Sequence, residues 1–113
     1  MSEIIRMKKT GGIGTAASRL QAELDAEFVS RSEHRSGDMH CILLNFERLF
    51  VWRNGGYAAL SVLLTQIGEQ STADITGMGG GEGILNFSMG ANRRFAEMAE
   101  EKLMECGFRR TDA

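Results

Sequence analysis

The chain has 113 residues, with 13 lysines and arginines against 15 aspartates and glutamates and a formal charge of -2. That length suits one domain, 1–113, and the charge leaves no basic stripe of the kind nucleic-acid binding requires. No apolar run approaches the roughly 20 residues of a membrane span, and "MSEIIRMKK" lacks the apolar core of a secretion signal, so a cytoplasmic protein without membrane or nucleic-acid partners is expected.

Residues 1–14 read as a polar arm or edge strand followed by a glycine-rich hinge, with Ile4, Ile5 and Met7 set among Ser2, Glu3, Arg6 and Lys8. Residues 15–26 read as a helix, because Ile13, Ala16, Ala17, Leu20 and Leu24 recur on one face of a 3.6-residue period. Thr15 is the expected N-cap, its hydroxyl accepting from a free amide of the first turn.

Residues 28–89 read as antiparallel strands. "FVSRSEHR" is a polar strand, turned by Ser36-Gly37-Asp38 into "MHCILLNFERLFVW". Arg53-Asn54-Gly55-Gly56 is a hairpin signal, since Asn and Gly tolerate the positive φ of a type I′ turn. "YAALSVLLTQI" returns, Gly68-Glu69-Gln70 turns again, "STADITGM" follows, and "ILNFSM" comes after the glycines at 79–81 and 83. The chain contains no proline, so its tight turns fall to Gly, Asn, Asp and Ser.

Residues 91–105 read as a second helix, with Phe95, Met98, Ala99, Leu103 and Cys106 as its apolar stripe and Gly107 as its stop. The expected fold is α+β: a single antiparallel sheet of four to five strands, with an N-terminal and a C-terminal helix packed on one face.

The strands carry two kinds of row. Ile42, Leu44 and Phe46, then Leu60, Val62 and Leu64, then Ala73, Ile75, Leu85 and Phe87 are apolar enough to lie under the helices. The opposite face would carry Leu43, Asn45, Glu47, Ser61, Leu63, Thr65, Asp74 and Thr76, continued by Asn86 and Ser88. A solvated antiparallel sheet normally shows a cleaner polar row, so Leu43 and Leu63, with Cys41 and Ile67, point to partial cover by a partner or a ligand.

"TGGIGTAASRLQAEL" imitates a dinucleotide fingerprint through Gly12, Gly14 and Ala17, with Glu33 where a ribose-binding acid would sit. The context is wrong, because "RMKKT" is too polar for a strand buried on both faces and hairpins follow where helices should. A weak anion site at Gly12, Gly14 and Thr15 is what remains. "GMGGGEG" lacks the lysine and hydroxyl of a P-loop.

His34, Asp38, His40 and Cys41 are a dense set of metal-type ligands, yet His40 and Cys41 fall on opposite strand faces, so no metal site is expected. Cys41 and Cys106 read as two reduced thiols. No catalytic constellation and no cofactor site emerge. If a pocket exists, His40, Glu47, Arg48 and Asp74 are the polar groups to line it.

Gly37-Asp38, Cys41, Glu47-Arg48, Gly55-Gly56, Leu60-Ser61, Thr65, Gly68, Ile75-Thr76-Gly77 and Gly79-Gly80 form a pattern. On it, residues 37–87 resemble a family of small bacterial proteins of unknown function, about 110 residues long. The resemblance implies a bacterial, cytoplasmic α+β protein and brings no catalytic residues. The function expected is a non-enzymatic binding or interaction module, self-associating as a homodimer through the mixed sheet face. The alternative is a small-molecule-binding protein or small enzyme, with its pocket between the sheet and the glycine-rich loops.

Overall fold

Stretches of period-two alternation form the long strands in a computed structural model of the protein, which describes residues 2–50, 56–80 and 85–111. The elements are β1 (Ser2–Thr10), α1 (Gly14–Glu23), β2 (Glu27–Ser36), β3 (Met39–Phe50), β4 (Gly56–Ile67), β5 (Gln70–Gly80), α2 (Leu85–Glu105) and β6 (Arg109–Arg110). They build one sheet of six strands in the order β2-β3-β4-β5-β1-β6. Neighbouring strands are antiparallel throughout.

The strand number corrects the expected four to five. The N-terminal segment is no loose arm: β1 pairs with β5 from Ser2↔Met78 to Thr10↔Gln70, and on its other side β6 meets only Met7 and Lys8, so the rest of β1 runs along the sheet edge. Its alternation is set by only two residues, Ile5 and Met7, which are buried while Arg6 and Lys8 face out. β6 escaped notice because it has just two residues.

A second correction concerns "ILNFSM". Residues 85–89 belong to the first turns of α2, so the strand rows placed at Leu85, Phe87, Asn86 and Ser88 do not exist. A run that short fits either period, and length has to arbitrate. The Arg53-Asn54-Gly55 part of the hairpin lies outside the described residues. The strands flanking it pair from Met39↔Ile67 to Phe50↔Gly56.

Both helices cover one face of the sheet. Ile42, Leu44 and Phe46 of β3, Leu60, Val62 and Leu64 of β4, and Ala73 and Ile75 of β5 are buried there. Ile13, Ala16, Ala17 and Leu20 close the core from α1, and Phe95, Ala99 and Leu103 close it from α2. Fully burying a side chain of the Leu, Ile or Phe class stabilises by about 1.5–3 kcal/mol, so these matched rows are what holds the layers together.

The helix ends are fastened by backbone more than by side chains. The N-cap of α1 is Ile13 and not Thr15; Ile13 offers no side-chain hydrogen bond, and its carbonyl accepts from Ala17 N at 3.0 Å. At the end of α2, Gly107 N bonds Met104 O (3.1 Å) and Phe108 N bonds Leu103 O (3.0 Å), the paired bonds of a Schellman cap. Gly107 has φ 103, which a side chain would resist. Phe108 is fully buried, and Lys9 Nζ lies 5.5 Å above its ring while bonding the Cys106 carbonyl at 3.1 Å. The turn out of β1 is no loose hinge either. Gly11 N donates to Glu69 O at 2.8 Å, and the buried Ser71 hydroxyl donates to the Gly11 carbonyl.

None of the helices among the described residues is long and apolar enough to cross a membrane.

Candidate functional site

Past Phe28, the helix-side row of β2 switches from apolar to charged. Phe28 packs edge-on against Phe46, and Arg31, Glu33 and Arg35 then follow on that side, paired with Leu44, Ile42 and His40 of β3. This row and the flank of α1 enclose a shallow groove of about 620 Å³, whose lining includes Thr15, Ser18, Arg31, Glu33, Arg35 and His40. His40 is buried and donates from Nε2 to Glu33 Oε2 at 2.6 Å, since an ionised carboxylate only accepts. Arg31 Nη2 reaches the other carboxylate oxygen at 3.1 Å, and Arg35 stands 4.0 Å from Oε2. The His40 hydrogen bond, with help from Arg31, holds the Glu33 carboxyl below its usual range.

Of the residues singled out as an anion site, Gly14 and Thr15 line this groove, whereas Gly12 lies beside the Gln66 side chain. Arg31 and Arg35 are the members sequence reasoning missed. Their signal was the odd-numbered charges of "RSEHR", a helix-facing row at an edge that the helices do not fully roof.

His40, Glu47, Arg48 and Asp74 do not come together. Arg48 bonds Asp25 Oδ2 at 3.2 Å and the Met98 sulfur at 3.2 Å. Glu47, its neighbour in sequence, points to the other face but shares a cleft of about 320 Å³ with Arg48, Asp25, Ala26 and Glu27. Asp74 lies on the helix-free face, 3.6 Å from Arg6. None of these four forms a hydrogen bond with another of them. Among the described residues no cluster of three His, Cys, Asp or Glu side chains is arranged to hold a metal. Cys41 and Cys106 are free.

The helix-free face is where the rows of Leu43, Asn45, Leu63 and Thr65 emerge. Its polar members lock to one another: Ser61 Oγ donates to Asn45 Oδ1 at 2.6 Å, and Asn45 Nδ2 donates to Ser30 Oγ at 3.1 Å. Its apolar members are only partly covered by the described residues. Leu63 is 37% exposed, Met78 38%, Met39 39%, Ile4 52% and Ile67 57%. Leu43 is half-buried beside Leu63, its cross-strand partner.

A family model described as a family of unknown function, DUF6054, matches residues 15–107. The chain belongs to DUF6054. The match is wider than the 37–87 stretch that carried the resemblance, and it takes in both α1 and all of α2. β1 and β6 fall outside the DUF6054 match, so the two strands that complete this sheet come from beyond the family's span. No curated protein and no solved structure matches this DUF6054 chain.

Proposed function

We propose that this DUF6054 protein is a non-enzymatic interaction module that self-associates through the helix-free face of its sheet. The observation that carries the reading is the uncovered apolar set at the middle and ends of that face, with Leu63 and Ile67 foremost. Scattered apolar residues are ordinary on a protein surface, but five large apolar side chains more than a third exposed on one face of a sheet, with Leu43 beside them, make a surface that a partner can cover. Sedimentation equilibrium over a wide concentration range tests it. The wild type is expected to dimerise, and Leu63→Asp to be monomeric with unchanged circular dichroism. A wild type that stays monomeric at high concentration overturns the reading.

A second reading, a small-molecule pocket, has one observation in its favour: Gly14, Thr15 and His40 share the groove with Arg31 and Arg35. Those arginines and the amides at the start of α1 suit a small anion, with Glu33 opposing it. Titration with inorganic phosphate is expected to shift the backbone amides of residues 11–16. Unmoved amides at millimolar phosphate dispose of this reading.

A further inference from the structure

Two neighbouring strands hold most of the uncovered apolar surface of the helix-free face. Three cross-strand pairs follow one another along β3 and β4: Leu43↔Leu63, Cys41↔Thr65 and Met39↔Ile67. Alternate residues of a strand point to one side, so these side chains form a single block. Leu63, Met39 and Ile67 are more than a third exposed, and Leu43, Cys41 and Thr65 are half-buried among them. Ile4 and Met78 belong to another part of the face. They lie on β1 and β5, and Thr76 and the Arg6–Asp74 pair stand between them and the block.

The rim of the block carries little charge. Its neighbours on β2 are Ser32, His34 and Ser36, and those on β5 are Asp74, Thr72 and Gln70. Asp74 is the one carboxylate among them, and Arg6 stands 3.6 Å from it. Beyond Leu43 and Leu63 comes the Asn45↔Ser61 pair, whose side chains are hydrogen-bonded to each other and on to Ser30. Groups bonded in this way can be covered without losing their partners, which spares the cost of burying an unpaired polar group.

We propose that the partner of this face is a second copy of the chain, seated block on block about a two-fold axis through the Cys41↔Thr65 pair. The proposal rests on the self-association above and says which part of the face carries it. A patch whose charges are absent or paired can lie on its own copy without setting like charges together, and an isologous contact uses one patch twice. Cys41 and Thr65 stand directly opposite each other, so their Cβ atoms are about 5 Å apart and the axis passes about 2.5 Å from each. Whatever the direction of that axis in the plane of the sheet, the two Cys41 side chains come within about 5 Å of each other laterally, across sheets about 10 Å apart. The strands β2 to β5, from the Asn45↔Ser61 pair to the Met39↔Ile67 pair, span about 19 by 24 Å. Two copies then cover about 900 Å², the size of a weak and reversible contact.

The full chain with Cys106→Ser keeps one thiol, that of Cys41. At a concentration where sedimentation shows dimer, a short bifunctional maleimide is expected to cross-link it into covalent dimers. Adding Leu63→Asp is expected to cut their yield about tenfold or more, because a charge is then forced into an apolar contact. Adding Met78→Asp, outside the block, should leave the yield within about threefold, as an ordinary surface substitution does. If the Cys41 thiol proves unreactive to a monofunctional maleimide, Thr65→Cys with both native cysteines replaced by serine takes its place. Circular dichroism checks that each variant folds. A chain that dimerises by sedimentation but cross-links through neither position overturns the block and leaves self-association standing. So does a dimer that Met78→Asp abolishes and Leu63→Asp spares. A wild type that stays monomeric overturns both.

Discussion

His40 Nε2 and Glu33 Oε2 lie 2.6 Å apart across the β2–β3 hairpin, the imidazole nine-tenths buried and the carboxylate about one-third exposed. The pair sits where the sheet's inner face runs out of helix cover, and the histidine fills the last covered position of its row. Replacing His40 by Ala removes a buried ring and leaves Glu33 to the arginines alone. The expected cost is about 1–3 kcal/mol, that of breaking a part-buried charge-assisted hydrogen bond. Urea unfolding of His40→Ala measures it. A change below about 0.5 kcal/mol, the range of ordinary surface substitutions, would mean that the pair is decorative.

Phe108 and Thr15 make an opposed pair of predictions. Phe108 closes the core from beyond the end of α2 and has no exposed surface. Phe108→Ala is expected to cost about 3–5 kcal/mol, the usual range for a buried aromatic ring. Thr15, which looks like an N-cap in the sequence, makes no capping bond, because the cap is Ile13. Thr15→Ala should therefore stay within about 0.5 kcal/mol of wild type, where the loss of a true cap typically costs about 1 kcal/mol. The same unfolding experiment reads both.

The parts of the fold that were legible in the sequence are those in which one residue type repeats at a fixed step. Ile42, Leu44 and Phe46 against Leu60, Val62 and Leu64 fixed the central hairpin and its inner face. Phe95, Ala99 and Leu103 fixed the second helix. What stayed hidden was stabilised by partners distant in sequence. β1 has only Ile5 and Met7 to mark its buried side, and its place beside β5 depends on a ladder to residues some seventy positions on. β6 exists because Gly107 turns the chain and Thr111 N bonds Arg6 O at 2.9 Å. The candidate site split the same way. The mixed face followed from alternation, whereas the groove required knowing that the start of α1 lies against the edge of β2.

Gly107 and Gly37 both have positive φ, at 103° and 59°, and a Cβ on either would meet nothing within 4 Å. Any cost of substitution there is conformational and not steric. Gly37 lies in the left-handed helical region, which an alanine occupies at about 1–2 kcal/mol and an asparagine more cheaply. Gly107 has a φ well beyond the left-handed minimum near +57°, so a side chain there costs more than at Gly37. Gly37→Asn is expected to be close to neutral and Gly107→Asn clearly destabilising. Equal melting temperatures for these two variants would contradict the backbone account.

Glu23 supplies the pH dependence. It joins the helices by accepting from Arg19 Nη2 at 2.9 Å and from Lys102 Nζ at 3.1 Å, while Arg19 also reaches Glu105 at 2.6 Å. The hydrogen bond from Arg19, then that from Lys102, brings the Glu23 carboxyl down from 4.5 to about 2. A carboxyl lowered in the folded state contributes stability that is complete above its unfolded value and is lost as pH falls through the folded one. The loss from this group therefore runs from about pH 4.5 down to about pH 2, and Glu33, lowered by His40 and Arg31, adds to it with the same sign. The clasp is solvent-exposed, so added salt should shrink the effect. In urea midpoints measured from pH 7 to 2, Glu23→Gln is expected to start below wild type, to fall less steeply under pH 4.5, and to meet it near pH 2. Parallel curves for the two proteins would show that the helices are held by their apolar stripes without help from this clasp.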